Sequence, residues 1–172
     1  MIRTGTYVGE HLTDTNTDGV SHEQIQPNGV DLTVSGIERI TGRYARFNRD
    51  DYRKPAREAV EYSYTERPGA VPHFRLYPGH YAVIYGEKVT IPEGHVGRVY
   101  PRSRVMRSGL HLTSALWDQG YEGRGEGLLI VPTFLDRITI EAGASLAQMV
   151  FIEAESVPAF DQYDGTHQGE RL

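Results

Sequence analysis

Three arginines and a serine cluster in the stretch YPRSRVMRSG, residues 100–109. Arg102, Arg104 and Arg107 fall within six positions, and Ser103 follows an apparent strand end. Guanidinium groups, a hydroxyl and turn amides are all donors that suit phosphate oxygens. A helical turn beginning here would add partial positive charge. The cluster indicates an anion site, although a solvated basic surface explains the composition equally well.

An aspartate stands between an apolar stretch and a glycine-rich turn in LTSALWDQGYEGRGEG, residues 112–127. An apolar flank can hold the carboxylate of Asp118 against a water molecule, as a general base requires. Tyr121 is close enough in sequence to stack on a ring bound in the same turn. Taken alone, an aspartate in a hairpin turn is the commoner explanation.

A second aspartate follows a turn signal in QIQPNGVDLTV, residues 24–34. The Asn-Gly pair predicts a turn, after which Asp31 enters a strand. Such a residue can hold a water or a metal, but capping of the turn is the commoner role.

The elements that must position these residues are short strands separated by glycine and proline. The chain has 19 Gly and 9 Pro, and no segment keeps a helical apolar period. Weak helical turns are predicted near Thr6 to Leu12 and Ser103 to Ser108. The pattern predicts an all-β barrel or jelly roll. Seven segments predict strands: GVDLTVSGI, HYAVIYG, EKVTIP, HVGRVYP, GLLIVPTF, RITIEA and AQMVFIEA.

Two segments differ in amino-acid composition from these predicted strands. Residues 42–70 are rich in Arg, Asp, Glu and Tyr, and we interpret them as a hairpin or loop inserted in the barrel. Residues 161–172 are polar and predict a mobile C-terminal tail that closes over a ligand. Residues 1–172 are therefore predicted to form a single domain.

Composition excludes several classes of function. The net charge of -5 and pI near 5.8 do not favour binding of nucleic acid. The absence of cysteine excludes disulfides, thiolate nucleophiles and the Cys-ligated zinc of familiar nucleobase deaminases. No apolar run approaches a membrane span, and the first residues lack a signal-peptide core. We therefore expect a cytoplasmic protein that does not bind a membrane.

Five segments, in order, resemble the sequence blocks of the dCTP deaminase/dUTPase superfamily. Each is weak alone, but the ordered set spans residues 24 to 170 and is specific. The likeness is greatest to archaeal, haloarchaeal-type dUTPases of deaminase-like sequence. The five segments are QPNGVDLTV, YPGHYAVIYGEKVTIPEGHVGRVYPRSRVMRSGL, TSALWDQGYEG, EAGASLAQMVF and YDGTHQGE.

The resemblance implies a distorted jelly-roll or barrel fold of the dUTPase type, assembled as a homotrimer. It implies active sites between subunits and a nucleotide substrate, dUTP or dCTP. It also implies Mg²⁺ bound through the triphosphate, with no protein ligand of its own.

Site residues follow from the resemblance, position by position. Asp118 matches the aspartate that positions the attacking water, and Tyr121 matches the aromatic residue that stacks on deoxyribose. Arg104 and Trp117 depart from the family pattern. We expect Arg104 either to add a phosphate contact or to face solvent, and Trp117 to wall the pyrimidine pocket. The phosphate-binding residues implied are Arg102, Ser103, Arg104, Arg107 and Gln168. The base- and sugar-binding residues implied are Thr113, Ser114, Ala115, Trp117, Asp118, Tyr121, Gln148 and Tyr163.

The choice between hydrolysis and deamination depends on a second acid. The deaminase branch carries a glutamate ten residues after the aligned aspartate, where this chain has Leu128, or Ile130 if two inserted residues are allowed. Glu126 is nearby, but the sequence predicts it in a glycine-rich turn, out of phase with the strand. We therefore expect hydrolysis of dUTP to dUMP and pyrophosphate. The alternatives are a dCTP deaminase or bifunctional enzyme, and a non-catalytic nucleotide-binding regulator.

Overall fold

The computed structural model describes residues 1–14, 19–64 and 69–172. Residues 65–68 of the predicted insertion therefore lie outside the described part of the chain. Among the described residues, no helix is long and apolar enough to cross a membrane.

Short strands dominate the described chain, with two five-residue helices and two 3-10 turns, His22–Gln24 and Ala159–Asp161. The helices are α1 (Gly5–Gly9) and α2 (Ser103–Arg107). The strands are β1 (Leu12–Thr13), β2 (Ile25–Gln26), β3 (Gly29–Ile40), β4 (Arg46–Phe47), β5 (Tyr52–Arg53), β6 (Arg57–Ala59), β7 (His73–Leu76), β8 (Gly79–Tyr85), β9 (Lys88–Thr90), β10 (His95–Pro101), β11 (His111–Thr113), β12 (Glu122–Gly123), β13 (Glu126–Val131), β14 (Ile138–Glu141) and β15 (Ser145–Glu153).

The principal sheet is antiparallel and runs in the order β10-β15-β3-β8-β13-β11. Its two edges approach each other, because Gly97 of β10 forms an isolated bridge to Trp117, just beyond β11. The sheet is thus a nearly closed barrel, and the prediction of an all-β barrel is confirmed. Each of the seven segments predicted as strands overlaps one of these strands.

Alternation along the strands decides which side chains reach the interior. In β13, Gly127, Leu129 and Val131 are buried, whereas the intervening residues are only partly buried. The buried set joins a core formed by apolar residues from β3, β8 and β15. The opposite face of β13, which carries Glu126 and Leu128, is left to line a cavity.

Part of the segment 42–70 joins the barrel. Strands β4 and β5 pair with each other, and the rings of Phe47 and Tyr52 stack with centroids 4.8 Å apart. Strand β6 instead pairs with β3, with Arg57 opposite Ile40. This pairing places one arginine of the segment at the edge of the principal sheet.

A fully buried glutamate follows β8. Glu87 has 0% of its surface exposed and accepts hydrogen bonds from the Thr33 amide, the Thr33 hydroxyl and Gln24 Nε2. Burial raises the pKa of Glu87, and the hydrogen bonds from Thr33 and Gln24 only partly oppose this. Ionising the Glu87 carboxyl therefore costs more free energy in the native protein than in the unfolded chain.

The raised pKa of Glu87 predicts a pH-dependent stability. Between the unfolded and folded pKa values the native state binds more protons, so its stability falls as pH rises. The stability of wild type relative to Glu87→Gln should therefore be greatest below the unfolded pKa and decline above it. Urea unfolding of both proteins from about pH 4 to about pH 8 measures this difference. Exposed Glu93→Gln is the control, and a difference independent of pH would contradict the assignment.

Candidate active site

A cavity of about 330 Å³ opens between the partly buried face of β13, the segment after β11 and the C-terminal residues. Its lining contains seven of the residues that the sequence predicted for binding or catalysis. These seven are Thr113, Ser114, Ala115, Trp117, Asp118, Tyr121 and Tyr163. The sequence did not predict the other lining residues, Ile40, Arg57, Ala82, Leu116, Gly125, Glu126, Gly127, Leu128, His167 and Glu170.

Asp118 is an exposed residue in the lining of this cavity. Its main chain is fixed, because the Asp118 carbonyl accepts from the Tyr121 amide at 3.1 Å and Trp117 bridges to Gly97. Among the described residues, its carboxylate has no hydrogen bond or ion pair. The carboxylate is therefore held by a fixed backbone and is free to accept a proton from a bound water.

Aromatic rings form the wall beside Asp118. Trp117 and Tyr121 are buried and meet edge to face, with centroids 5.0 Å apart, and Tyr163 meets Tyr121 at 5.8 Å. Trp117 Nε1 donates to Ser114 Oγ at 2.8 Å, which fixes the orientation of the indole. Such a wall suits a flat ring and a sugar.

Glu126 occupies a different position from the one predicted. It is the first residue of β13, pairs with Ile84 of β8 and shares the cavity face with Leu128. The prediction of a turn out of phase with the strand was wrong. The neighbouring glycines are needed because larger side chains would not fit. A Cβ at Gly127 would lie 2.3 Å from the hydroxyl oxygen of Tyr85, and a Cβ at Gly125 would lie 2.6 Å from the Trp117 ring.

Two guanidinium groups hold the Glu126 carboxylate. Arg57 Nη1 lies 2.8 Å from it, and Arg171 Nη2 lies 2.6 Å from it. Burial alone would raise the pKa of Glu126, but the hydrogen bonds and charges of the two arginines outweigh burial and lower it. Glu126 is therefore an ion-paired carboxylate, with little of the protonated form that a proton donor needs.

The arginine cluster lies on and beside α2, and none of its described residues lines the cavity of its own chain. Arg102 Nη1 lies 2.8 Å from Asp31 Oδ2, and the Asp31 side chain is only 4% exposed. Arg104 Nη2 donates to the Ser145 carbonyl, while Ser103 and Arg107 are exposed. The structure thus anchors Arg102 and leaves further guanidinium donors for an anion.

Asp31 forms a buried ion pair with Arg102, a structural role that the sequence left open. Burial raises the pKa of Asp31, and the charges of Arg102 and Arg104 partly offset this effect. Gln148 lies directly across the sheet from Asp31 and, on its other side, from Tyr100 of β10. Gln148, on β15, and Arg102, just before α2, therefore lie near Asp31 and outside the cavity.

Gln168 lies outside the cavity lining and binds the main chain of its own chain, at Gly120 and Glu122. Its Nε2 donates to the Gly120 carbonyl, and its Oε1 accepts from the Glu122 amide, both at 3.0 Å. Its role in phosphate binding stays a prediction.

No group of three or more His, Asp or Glu side chains in the described ranges could hold a metal ion. A cation that arrives with a triphosphate does not need such a group, because phosphate oxygens supply ligands. The unpaired carboxylate of Asp118 can accept hydrogen bonds from the waters of such a cation, so the cavity is compatible with a metal bound in this way.

Comparison with protein-family models relates this chain to one family. The model of the dCTP deaminase-like family matches residues 4–154. The chain belongs to the dCTP deaminase-like family. Every cavity residue predicted from the sequence except Tyr163 falls within the matched range.

Two archaeal relatives in the dCTP deaminase-like family are similar over most of their length. One, from Halobacterium salinarum, is named "Probable deoxyuridine 5'-triphosphate nucleotidohydrolase"; it is 39% identical over 99% of this chain and 96% of its own. Another of the same name, from Aeropyrum pernix, is 37% identical over 90% of this chain and 91% of its own.

A solved structure shares the fold. The 2'-deoxycytidine 5'-triphosphate deaminase from Agrobacterium tumefaciens superposes with a TM-score of 0.62 at 18% identity. The match covers 87% of this chain and 47% of that one. The predicted jelly-roll barrel of the dCTP deaminase-like family is thereby confirmed.

Proposed function

We propose that this protein is a dUTP diphosphatase, which hydrolyses dUTP to dUMP and pyrophosphate in deoxynucleotide metabolism. The observation that carries the proposal is the unpaired Asp118 carboxylate in a cavity walled by Trp117 and Tyr121. The names of the archaeal relatives support the same substrate. We place the reaction in the cytoplasm, as the sequence predicts.

Asp118 acts as the general base in the proposed reaction. It accepts a proton from a water whose oxygen bonds to the α-phosphorus, while the bond between that phosphorus and the α,β-bridging oxygen breaks. Pyrophosphate leaves with the bonding electrons, and dUMP remains. A carboxylate without a competing partner suits this step, because nothing needs to be displaced before the water binds.

The cavity supplies the base and sugar site in this proposal. Trp117 and the main chain of residues 113–115 face the uracil, and Tyr121 stacks on the deoxyribose. A ring packed on the sugar leaves no room for a ribose 2′-hydroxyl. Tyr163 closes the site from the C-terminal side.

The phosphates require cations, and the arginine in the described cavity lining, Arg57, is already paired with Glu126 and Glu38. Arg102, Ser103, Arg104 and Arg107 lie outside that cavity, so we propose that a neighbouring subunit presents them. A homotrimer with active sites between subunits meets this need. Mg²⁺ bound through the triphosphate would neutralise negative charge that builds on the phosphate oxygens.

Deamination of dCTP is the alternative raised by the position of Glu126 in the cavity. A proton carrier at the ring must both take up and release a proton near neutral pH. Arg57 and Arg171 lower the pKa of Glu126 and occupy its oxygens. Hydrolysis is therefore the better-supported reaction.

Product analysis tests the proposal directly. Purified protein incubated with Mg²⁺ and dUTP should release dUMP and pyrophosphate in equal amounts, and should release no ammonia from dCTP. Ammonia release from dCTP would favour the deaminase. Tight binding of dUTP by folded protein without product would contradict the proposal and favour a nucleotide-binding regulator.

A further inference from the structure

The C-terminal tail, residues 162–172, lies along residues 119–126 of its own chain. Main-chain hydrogen bonds join Tyr163 N to Gln119 O at 3.0 Å and Gly169 N to Glu122 O at 2.8 Å. A third joins Arg124 N to Glu170 O at 2.9 Å. These contacts place the tail against the loop that carries the cavity's aromatic wall.

Side chains from the end of the tail reach the cavity itself. The Tyr121 hydroxyl donates to Glu170 Oε1 at 3.0 Å, and Glu170 also pairs with Arg171 at 3.1 Å. Arg171 makes its shorter ion pair, at 2.6 Å, with Glu126 of β13. Arg171 and Arg124 also each donate to the other's carbonyl. Besides its main-chain hydrogen bonds, the tail is therefore joined to a charged group in the cavity by an ion pair.

Arg57 also holds the same carboxylate. Its guanidinium lies 2.8 Å from Glu126 and 3.5 Å from Glu38. The side chains of Arg57, Glu126 and Arg171 are only 18%, 29% and 30% exposed, so solvent screens their attraction incompletely. The segment 42–70 thus supplies a cation that fixes the orientation of Glu126.

We propose that Glu126 is a positioning residue that acts through Arg171: it anchors the C-terminal tail against Tyr121, and Arg57 holds Glu126 in the orientation this requires. The inference rests on the proposed function, because the closed tail completes the nucleotide site. Glu126 then transfers no proton. Its removal loosens the tail and weakens substrate binding, while the hydrolytic step at Asp118 continues.

Hydrogen exchange of the tail tests the anchor without depending on activity. In Arg171→Gln and in Glu126→Gln, exchange in peptides covering residues 163–172 should be about tenfold faster than in wild type. The double variant should exchange no faster than Arg171→Gln, because Glu126→Gln removes no further contact of the tail once Arg171 is gone. Glu122→Gln is the matched control, since the Glu122 side chain pairs with Lys88 rather than with the tail.

Kinetics separate positioning from catalysis. Both single variants should raise KM for dUTP about tenfold and change kcat less than about threefold. The Arg171 side chain is 30% exposed and lies outside the apolar core, so its variant keeps the fold even if Glu126→Gln does not. Unchanged tail exchange in Arg171→Gln would overturn the proposal, as would a loss of kcat in Glu126→Gln with unchanged exchange. If wild type fails to hydrolyse dUTP, the proposed function fails, and the exchange comparison still decides the anchor.

Discussion

Asp118→Asn should lower kcat/KM for dUTP by about a thousandfold, the largest effect we expect from any single substitution. Asparagine keeps the size of the side chain but cannot accept the proton of the attacking water. The described structure gives the Asp118 carboxylate no structural partner whose loss would unfold the protein. The change should therefore appear in kcat and leave stability nearly unaltered.

Binding and turnover must be measured separately for this variant. Titration calorimetry with α,β-imido-dUTP should give affinities for wild type and Asp118→Asn that differ less than about threefold. Asp136→Asn, at an exposed residue outside the cavity, is the matched control and should behave as wild type. Retention of most of kcat in Asp118→Asn would show that another group activates the water.

Arg102→Gln should destabilise the protein by about 3 kcal/mol, the largest stability effect we expect at a charged residue. The substitution leaves the Asp31 carboxylate, whose side chain is 4% exposed, without its ion pair. The remaining contact, from Gln26 Nε2 at 3.4 Å, is long and does not compensate for the charge. Urea unfolding at neutral pH measures the change.

A double variant separates the structural role of Arg102 from its proposed role in phosphate binding. Asp31→Asn combined with Arg102→Gln removes both charges, and its stability should lie within about 1 kcal/mol of wild type. Its KM for dUTP should be as high as that of Arg102→Gln, because both variants lack the Arg102 guanidinium that is proposed to bind phosphate. Arg104→Gln, which loses one exposed contact to Ser145, is the stability control. A double variant as unstable as Arg102→Gln would show that the ion pair is not the cause.

Much of the barrel follows from strand periodicity in the sequence. Segments such as EKVTIP and HVGRVYP alternate because one face of each strand is buried, and β9 and β10 are found there. The strands that the sequence did not indicate are mostly two or three residues long, such as β1, β2, β4 and β5. So short a strand carries no alternation, and its pairing is decided by tertiary contacts.

The candidate site, too, was predicted from the sequence only in part. Residues 113–121 are contiguous, so a single block of the family resemblance was enough to predict six of the seventeen residues that line the cavity. Arg57 was missed because it reaches Glu126 across 69 residues of chain, through the pairing of β6 with β3. Glu126 was misplaced because its neighbouring glycines resemble a turn, whereas Gly125 and Gly127 make room for Trp117 and Tyr85.

A crystal structure with α,β-imido-dUTP and Mg²⁺ tests the central claim most directly. We predict the uracil against Trp117, the Asp118 carboxylate within hydrogen-bonding distance of a water facing the α-phosphorus, and the phosphates on Arg102 and Arg107 of a neighbouring subunit. A nucleotide bound with its α-phosphorus remote from Asp118, or with phosphates away from every arginine of α2, would contradict the assignment.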